Sequence, residues 1–169
     1  MIKVLFICHG NICRSPMAEF ILKDLTARRG ISGDFTIASA ATSNEEIGNH
    51  IYPPAKAELA SHGIGGKAAP SPNPAAHRQL AAEVAAKTAR RIRRSDYEEY
   101  DYLIAMESFN IRNMLREFGT DPENKIHRLL DFTDRPADIA DPWYTRRFDI
   151  TYEGIVTGCE AFLRYLGYE

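Results

Sequence analysis

A cysteine and an arginine lie close together near the start of the chain, in a segment that could bind and attack a phosphate group. The segment reads Cys8-His9-Gly10-Asn11-Ile12-Cys13-Arg14-Ser15. An apolar run precedes it, and a proline with a helical pattern follows it. A strand, a glycine-containing loop and the N-terminus of a helix together surround an anion with backbone N–H groups. The segment therefore predicts a phosphate-binding loop.

The residue types in this loop indicate what happens to the phosphate. Cys8 is the candidate nucleophile, because the loop N–H groups and the positive end of the next helix favour its thiolate. The planar guanidinium of Arg14 can hold two phosphoryl oxygens, which lysine cannot do. Ser15 is predicted to be the helix N-cap and to donate its hydroxyl to the Cys8 sulfur as that sulfur departs. Asn11 can bond within the loop, and Gly10 permits a backbone angle that other residues resist.

The chemistry of this loop differs from that of a nucleotide-binding P-loop, in which a Lys-Ser or Lys-Thr pair follows a glycine. The loop and its continuation, Pro16-Met17-Ala18-Glu19, instead resemble the signature of the low-molecular-weight protein tyrosine phosphatases. A second mark of that family is Asp141-Pro142-Trp143-Tyr144, far downstream. Both marks together are much more specific than a cysteine and an arginine alone.

The resemblance implies roles for individual residues. The phosphate-binding set is His9, Gly10, Asn11, Ile12, Cys13, Arg14 and Ser15. Asp141 is implied to be the general acid that protonates the leaving group and later accepts a proton from water. Trp143 and Tyr144 are implied to form flat walls for an aryl ring. Ser39 is implied to support Asn11, although an ordinary serine at a strand end would look the same.

The resemblance suggests a role for two further features of the chain, and for each of them a second interpretation is equally open. Cys13 could form a disulfide with Cys8 after oxidation, or it could be a small packing residue of the loop. Glu45 and Glu46 lie in a loop that the family places at the rim of the site, where they would disfavour acidic peptides. They could equally be a solvated surface.

The elements that must position these residues alternate between strands and helices. Strands are predicted at 4–7, 35–39, 102–106 and 125–130. Helices are predicted from 15 or 16 to 30, from 53 to 63, from a Ser108 cap to 119, and over 148–166. This order predicts an α/β fold, a doubly wound four-stranded parallel sheet with helices on both faces, and the resemblance implies the same architecture. The carboxyl ends of the strands should carry the site.

Length, charge and cysteine usage narrow the class of protein. The 169 residues are expected to form a single domain, 1–169. The net charge of -2 does not predict electrostatic binding to nucleic acid or to an anionic membrane. No leader segment or membrane-spanning run is recognised. Three cysteines without metal-ligand spacing favour a reduced, cytoplasmic setting. No cofactor and no metal are predicted.

A segment at about 68–87 departs from the family and is predicted to be an insert. After a proline-rich start, Asn73 and Pro74 should begin a helix in which only Leu80 and Val84 are apolar. The insert could be a flexible surface extension, or a contact surface or lid. Many relatives carry a histidine that supports the loop asparagine, and this chain offers Lys87 or Lys67 instead.

These observations predict a metal-independent protein tyrosine phosphatase that acts through a phosphocysteine on phosphotyrosine-containing proteins. The nearest alternative is a protein arginine phosphatase, although those relatives tend to carry threonine where this loop has Ile12. An arsenate reductase would need further thiols, and Cys159 lies in an apolar helical stripe. A non-catalytic phosphotyrosine-binding module would be expected to lack Cys8, Arg14 or Asp141.

Overall fold

A parallel sheet of four strands forms the centre of the protein. The computed structural model describes residues 1–66 and 73–169. The strands are β1 (Ile2–Cys8), β2 (Phe35–Ala41), β3 (Tyr102–Ala105) and β4 (Ile126–Arg128), in the order β2-β1-β3-β4. All three pairings are parallel, so the carboxyl ends of the strands meet at one edge. The predicted doubly wound α/β fold is confirmed.

Helices cover both faces of this sheet. They are α1 (Arg14–Arg28), α2 (Pro53–Ser61), α3 (Pro74–Ala86), α4 (Ser95–Glu99), α5 (Ser108–Phe118), α6 (Pro142–Thr145) and α7 (Phe148–Tyr165). Side chains alternate along β1, so that Phe6 belongs to the core that includes residues of α1, α2, α3 and α7, while Leu5 belongs to the core that includes residues of α4 and α5. No helix within the described ranges is both long and apolar enough to cross a membrane.

Several predicted element boundaries are wrong by one or two residues. Helix α1 begins at Arg14, one or two residues before the predicted start at 15 or 16, because the Cys13 carbonyl already accepts the N–H of Met17 at 3.1 Å. Ser15 is therefore inside the first turn and is not the N-cap. Likewise Glu107, and not Ser108, is the N-cap of α5. Strand β4 stops at Arg128 because a 3₁₀ turn begins there.

Helix α3 forms the second part of the predicted insert, whose residues 68–72 lie outside the described residues. The Asn73 side chain accepts the N–H of Ala76 at 3.1 Å, as predicted for the start of this helix. Leu80 and Val84 are buried in the core that α1 shares, together with the side chain of His77. The expectation of a flexible surface extension is therefore wrong for α3. That this segment is an insertion stays a prediction.

Candidate active site

The loop predicted to bind phosphate lies between β1 and α1 and forms the floor of a cleft of about 270 Å³. The cleft is lined by Cys8, His9, Gly10, Ile12, Cys13, Arg14, Glu45, Glu46, Asp141, Trp143 and Tyr144. These residues come from the loop, from the segment after β2 and from the segment around α6. The fold thus brings both sequence motifs to the same cleft at the carboxyl edge of the sheet.

A network of short hydrogen bonds holds the loop around the Cys8 sulfur. The sulfur lies 3.0 Å from Ser15 Oγ and accepts the N–H of Asn11 at 3.3 Å. Asn11 has a left-handed backbone with φ of 60°, which is uncommon for a residue other than glycine. Its side-chain nitrogen donates to Ser15 Oγ at 2.8 Å and to Ser39 Oγ at 2.9 Å, and its oxygen accepts the N–H of Arg90. Its strained backbone is therefore held from both ends of the amide.

Arg14 is 2% exposed and is aimed into the cleft by two acceptors. Its Nη1 donates to Glu107 Oε2 and to the Ile139 carbonyl, each at 2.8 Å, while Nη2 lies 3.5 Å from Asp141 Oδ2. Burial by itself would lower the pKa of Arg14, but the Cys8 sulfur and Glu107 together raise it by more. The pKa of Arg14 therefore lies above its usual value, and the guanidinium keeps its charge. Sequence reasoning missed Glu107. The available signal was a carboxylate placed directly after a strand of the sheet.

Asp141 is the N-cap of α6, and its Oδ1 accepts the N–H of Trp143 at 3.0 Å. The same carboxylate points its other oxygen toward Arg14. Two other acidic residues of the preceding loop, Asp131 and Asp138, each pair with Arg128 at 2.9 Å. Asp141 is thus the acidic residue of the 131–141 loop that lines the cleft.

The aromatic wall of the cleft is supported from behind. The Trp143 ring packs at 4.9 Å from the ring of Tyr52, and Arg146 lies over Trp143 and donates to the Tyr52 hydroxyl at 3.2 Å. Tyr144 is 81% exposed and lines the mouth. Sequence reasoning missed Tyr52, whose signal was an aromatic residue directly before the prolines that begin α2.

Acidic residues form another part of the mouth. Glu45 pairs with His9 at 3.0 Å, and Glu46 accepts a bond from Asn49 at 2.6 Å. Both glutamates line the cleft at its rim, where the Glu45 side chain is 69% exposed.

Comparison with known proteins identifies the family of this chain. The family model described as low molecular weight phosphotyrosine protein phosphatase matches residues 3–79 and 57–169. The chain belongs to this family. The relative YfkJ of Bacillus subtilis, named a low molecular weight protein-tyrosine-phosphatase, is 36% identical over 165 residues, which cover 96% of this chain and 94% of the relative. The human low molecular weight phosphotyrosine protein phosphatase is 33% identical over 166 residues, covering 95% of this chain and 93% of the relative.

Solved structures of the phosphatase family superimpose over nearly the whole chain. The crystal structure of YfkJ from Bacillus subtilis has a TM-score of 0.85 at 35% identity and covers 99% of this chain and 95% of its own. A second structure, described as DARP, Drosophila arginine phosphatase, has a TM-score of 0.78 at 28% identity, with 99% of both chains covered. The predicted membership of the phosphatase family is confirmed.

The other two thiols of this phosphatase-family chain, Cys13 and Cys159, are buried. Cys13 lines the cleft, and burial, reinforced by the nearby Cys8 sulfur, raises its pKa to about 12. Cys159 is fully buried in α7, and burial raises its pKa as well. All three cysteines are free, and a disulfide between Cys8 and Cys13 stays a prediction. Within 1–66 and 73–169, no three His, Cys, Asp or Glu side chains are grouped as metal ligands.

One of the two candidate lysines reaches the network behind the loop. Lys87 Nζ lies 3.1 Å from Glu19 Oε1 and donates to the Ser39 carbonyl at 3.2 Å. Lys67 lies outside the described residues. Glu19 is 4% exposed and accepts the Ser39 hydroxyl at 2.6 Å. Its part in the network was missed by sequence reasoning, which saw it only as a motif residue.

Proposed function

We propose that this chain is a metal-independent protein tyrosine phosphatase that hydrolyses aryl phosphate monoesters through a phosphocysteine. The observation that carries the proposal is the convergence of three groups on one cleft. The Cys8 sulfur at its floor is surrounded by loop hydrogen bonds, the buried Arg14 guanidinium faces it, and the Asp141 carboxylate lies 3.5 Å from that guanidinium.

In the first step, the Cys8 thiolate attacks phosphorus and the bond from phosphorus to the ester oxygen breaks. Arg14 and the loop N–H groups stabilise the charge on the transferring phosphoryl oxygens, a task that metal ions perform in other phosphoryl-transfer enzymes. Protonated Asp141 gives its proton to the departing phenolate oxygen, so the product leaves as a neutral phenol.

In the second step, water attacks the phosphorus of the phosphocysteine. The Asp141 carboxylate accepts a proton from that water, while the bond between phosphorus and sulfur breaks. The electron pair of this bond returns to Cys8 as a thiolate, which the Ser15 hydroxyl at 3.0 Å stabilises by donating a hydrogen bond. Release of inorganic phosphate restores the starting state.

Phosphotyrosine is the proposed substrate class, and phosphoarginine is the competitor. The supported Trp143 ring and the half-buried Ile12 offer an apolar slot for a phenyl ring. The observation that supports phosphoarginine is the similarity of this chain to the Drosophila protein described as an arginine phosphatase. We expect phosphotyrosine peptides to be preferred, with the acidic rim of Glu45 and Glu46 selecting against acidic neighbours.

The setting of this activity is part of the proposal. Residues 1–169 act as one catalytic domain that carries an insert at about 68–87, and its partners are phosphotyrosine-containing proteins. A reducing cytoplasm suits a reaction that needs Cys8 as a free thiolate, and the three free thiols support this location.

Hydrolysis of an aryl phosphate with excess EDTA tests the proposal. We expect turnover by the parent, no detectable turnover by Cys8→Ser, and a loss of about 100-fold in Asp141→Ala. The matched control is Asp138→Ala in the same loop, whose carboxylate bonds Arg128 and lies outside the cleft. A folded parent that is inactive, or a Cys8→Ser variant that retains activity, would refute the proposal.

The same preparation separates the two substrate classes. Matched peptides that differ only in carrying phosphotyrosine or phosphoarginine are compared by phosphate release. A higher kcat/KM on the phosphoarginine peptide would assign the chain to the competing class, while the nucleophile assignment would remain.

A further inference from the structure

The aromatic wall of the cleft is carried by a very short helix. Trp143 lies in α6, which has four residues, and it is 44% exposed. An exposed ring on so short an element can adopt several rotamers, and the rotamers lost on substrate binding cost conformational entropy. A wall that is ready for a phenyl ring therefore needs contacts that hold the Trp143 ring before the substrate arrives.

Two residues outside both sequence motifs hold the Trp143 ring. The Tyr52 ring packs 4.9 Å from the Trp143 ring, and the Arg146 guanidinium lies over the Trp143 ring at 5.6 Å from its centre. Arg146 Nη1 also donates to the Tyr52 hydroxyl at 3.2 Å, so each of the three side chains contacts the other two. Trp143 lines the cleft, whereas Tyr52 and Arg146 do not. They therefore support the ring without lining the substrate site.

Tyr52 also connects this wall to the loop predicted to bind phosphate. Its backbone N–H donates to the Ile12 carbonyl at 2.8 Å, and its own carbonyl accepts the N–H of Lys56 in α2 at 3.0 Å. The Tyr52 backbone is thus fixed between the loop and a helix, while its ring contacts Trp143 and, at 6.0 Å, Phe148 of α7. Ile12 and Trp143 form the proposed apolar slot, so a single residue positions both of them.

The backbone of Arg146 gives separate evidence that its side chain has a role. Arg146 ends α6 in the left-handed conformation, with φ of 60° and ψ of 14°, and its N–H donates to the Pro142 carbonyl at 2.9 Å. Glycine and asparagine adopt this conformation more readily than arginine does. The contacts of the Arg146 side chain with Trp143 and Tyr52 offset the backbone strain.

From these contacts, and resting on the proposed function, we propose that Tyr52 and Arg146 are positioning residues that make the site selective for aryl phosphates. Tyr52 fixes Trp143 relative to Ile12, and Arg146 holds the Trp143 ring against Tyr52. A phenyl ring then enters a slot whose wall is already in place, so less conformational freedom is lost on binding. A phosphate ligand without a ring gains nothing from this wall. The two residues therefore act on the affinity for the ring and not on the attack by Cys8.

The test replaces Arg146 with asparagine, which tolerates the left-handed backbone but is too short to cover the Trp143 ring. The matched control is Arg147→Asn, the same substitution one residue later. The Arg147 side chain pairs with Asp149 at 3.0 Å and does not line the cleft, so the control removes an equal positive charge without changing the wall. Tyr52→Phe keeps the ring against Trp143 but removes the hydroxyl that Arg146 binds.

Binding is measured for two ligands that differ in the ring, phenylphosphonate and inorganic phosphate, and turnover is measured with phenyl phosphate. Trp143 is the only tryptophan among the 169 residues. Tryptophan fluorescence and its quenching by acrylamide therefore report on this ring alone. Thermal unfolding is measured in parallel, so that a loss of folding is recognised.

We expect Arg146→Asn to weaken phenylphosphonate binding about three- to tenfold, as for one aromatic side chain that must be ordered on binding, while phosphate binding changes by less than about twofold. KM for phenyl phosphate should rise by a similar factor, with kcat less affected. Acrylamide quenching of Trp143 should increase, because the ring loses the guanidinium that covers it. Tyr52→Phe should give part of each effect, Arg146→Lys should recover part of the affinity because a cation returns to the ring, and Arg147→Asn should change none of them.

Three outcomes would overturn the proposal. Equal losses of phenylphosphonate and phosphate affinity would show that the change is not selective for the ring. The same loss in Arg147→Asn would assign the effect to net charge, and a folded Arg146→Asn variant with unchanged quenching and affinity would show that Arg146 does not hold the wall.

A double-mutant cycle tests whether the two residues act together. Because part of the effect of Arg146 runs through the Tyr52 hydroxyl, Arg146→Asn and Tyr52→Phe combined should weaken phenylphosphonate binding by less than the product of their separate effects. A full product would refute the shared action. Neither binding ligand has to be hydrolysed, so a selective loss of phenylphosphonate affinity in a chain that turns over no ester would support the positioning role while refuting the proposed function.

Discussion

Replacing Glu107 tests how the charge of Arg14 is aimed into the cleft. The Arg14 side chain is 2% exposed, and its Nη1 is shared between Glu107 Oε2 and the Ile139 carbonyl, both at 2.8 Å. Glu107→Ala removes the charged acceptor, while Glu107→Gln removes the charge but keeps an acceptor oxygen in the same place. The two variants therefore separate orientation of the guanidinium from partial neutralisation of its charge.

Two effects of this change oppose each other. A charge-assisted hydrogen bond contributes about 1.5 to 3 kcal/mol, and because the Glu107 side chain is 25% exposed, we take the lower part of that range. A loss of about 1.5 to 2 kcal/mol lowers kcat/KM by roughly 10- to 30-fold. In the opposite direction, loss of the Glu107 charge leaves the positive charge of Arg14 less compensated, so Arg14 should attract phosphate more strongly. We expect orientation to dominate, because the transition state needs the guanidinium in one geometry, and glutamine should cost less than alanine.

The assay is kcat/KM for an aryl phosphate together with the inhibition constant for inorganic phosphate, with thermal unfolding measured in parallel. The control pair is Glu117→Ala and Glu117→Gln in α5, the helix that Glu107 caps. Glu117 forms an ion pair of 3.4 Å with Arg91, and it does not line the cleft. The reasoning is refuted if a folded Glu107→Ala variant stays within about threefold of the parent, or if it binds phosphate more tightly and turns over faster.

Three further predictions concern pH and packing. In the proposed mechanism Cys8 attacks as a thiolate and Asp141 acts as an acid, so the rate should pass through a maximum with pH, and a flat profile between about pH 5 and 8 would contradict the assignment. Since the folded-state pKa of Glu19 lies below its usual value of 4.5, its carboxylate stabilises the fold above that value and stops doing so as pH falls through the folded pKa. The free energy of unfolding of Glu19→Gln should therefore lie below that of the parent at neutral pH and approach it in acid, as urea titrations at several pH values will show. Leu80→Ala should destabilise the fold by about 2 to 4 kcal/mol in urea denaturation by leaving a cavity under α3, while Leu115→Ala on the surface should change stability by less than about 0.5 kcal/mol.

Much of the site was predictable because its chemistry lies in one continuous segment. A strand, a short loop and a helix start are set by local residue types, so the pattern from Cys8 to Ser15 was enough to predict a phosphate cradle with a nucleophile. The alternation of strands and helices likewise predicted the parallel sheet and the edge that carries the site. The exact start of α1 was not predictable, because it depends on which carbonyl accepts the first helical hydrogen bond.

The sequence by itself thus determined the fold class and, through two motifs, the family, and it predicted the loop that should bind phosphate. Tertiary structure alone decided which distant groups hold that loop. Glu107 lies 93 positions from Arg14, and Lys87 lies 48 positions from Ser39, so neither contact follows from a local pattern, although the resemblance had named Lys87 and Lys67 as candidates. A carboxylate after a strand or a lysine after a helix resembles any solvated residue until the register of the parallel strands brings it beside a buried charge. Burial then makes pairing obligatory, and only the folded chain shows which residue provides it.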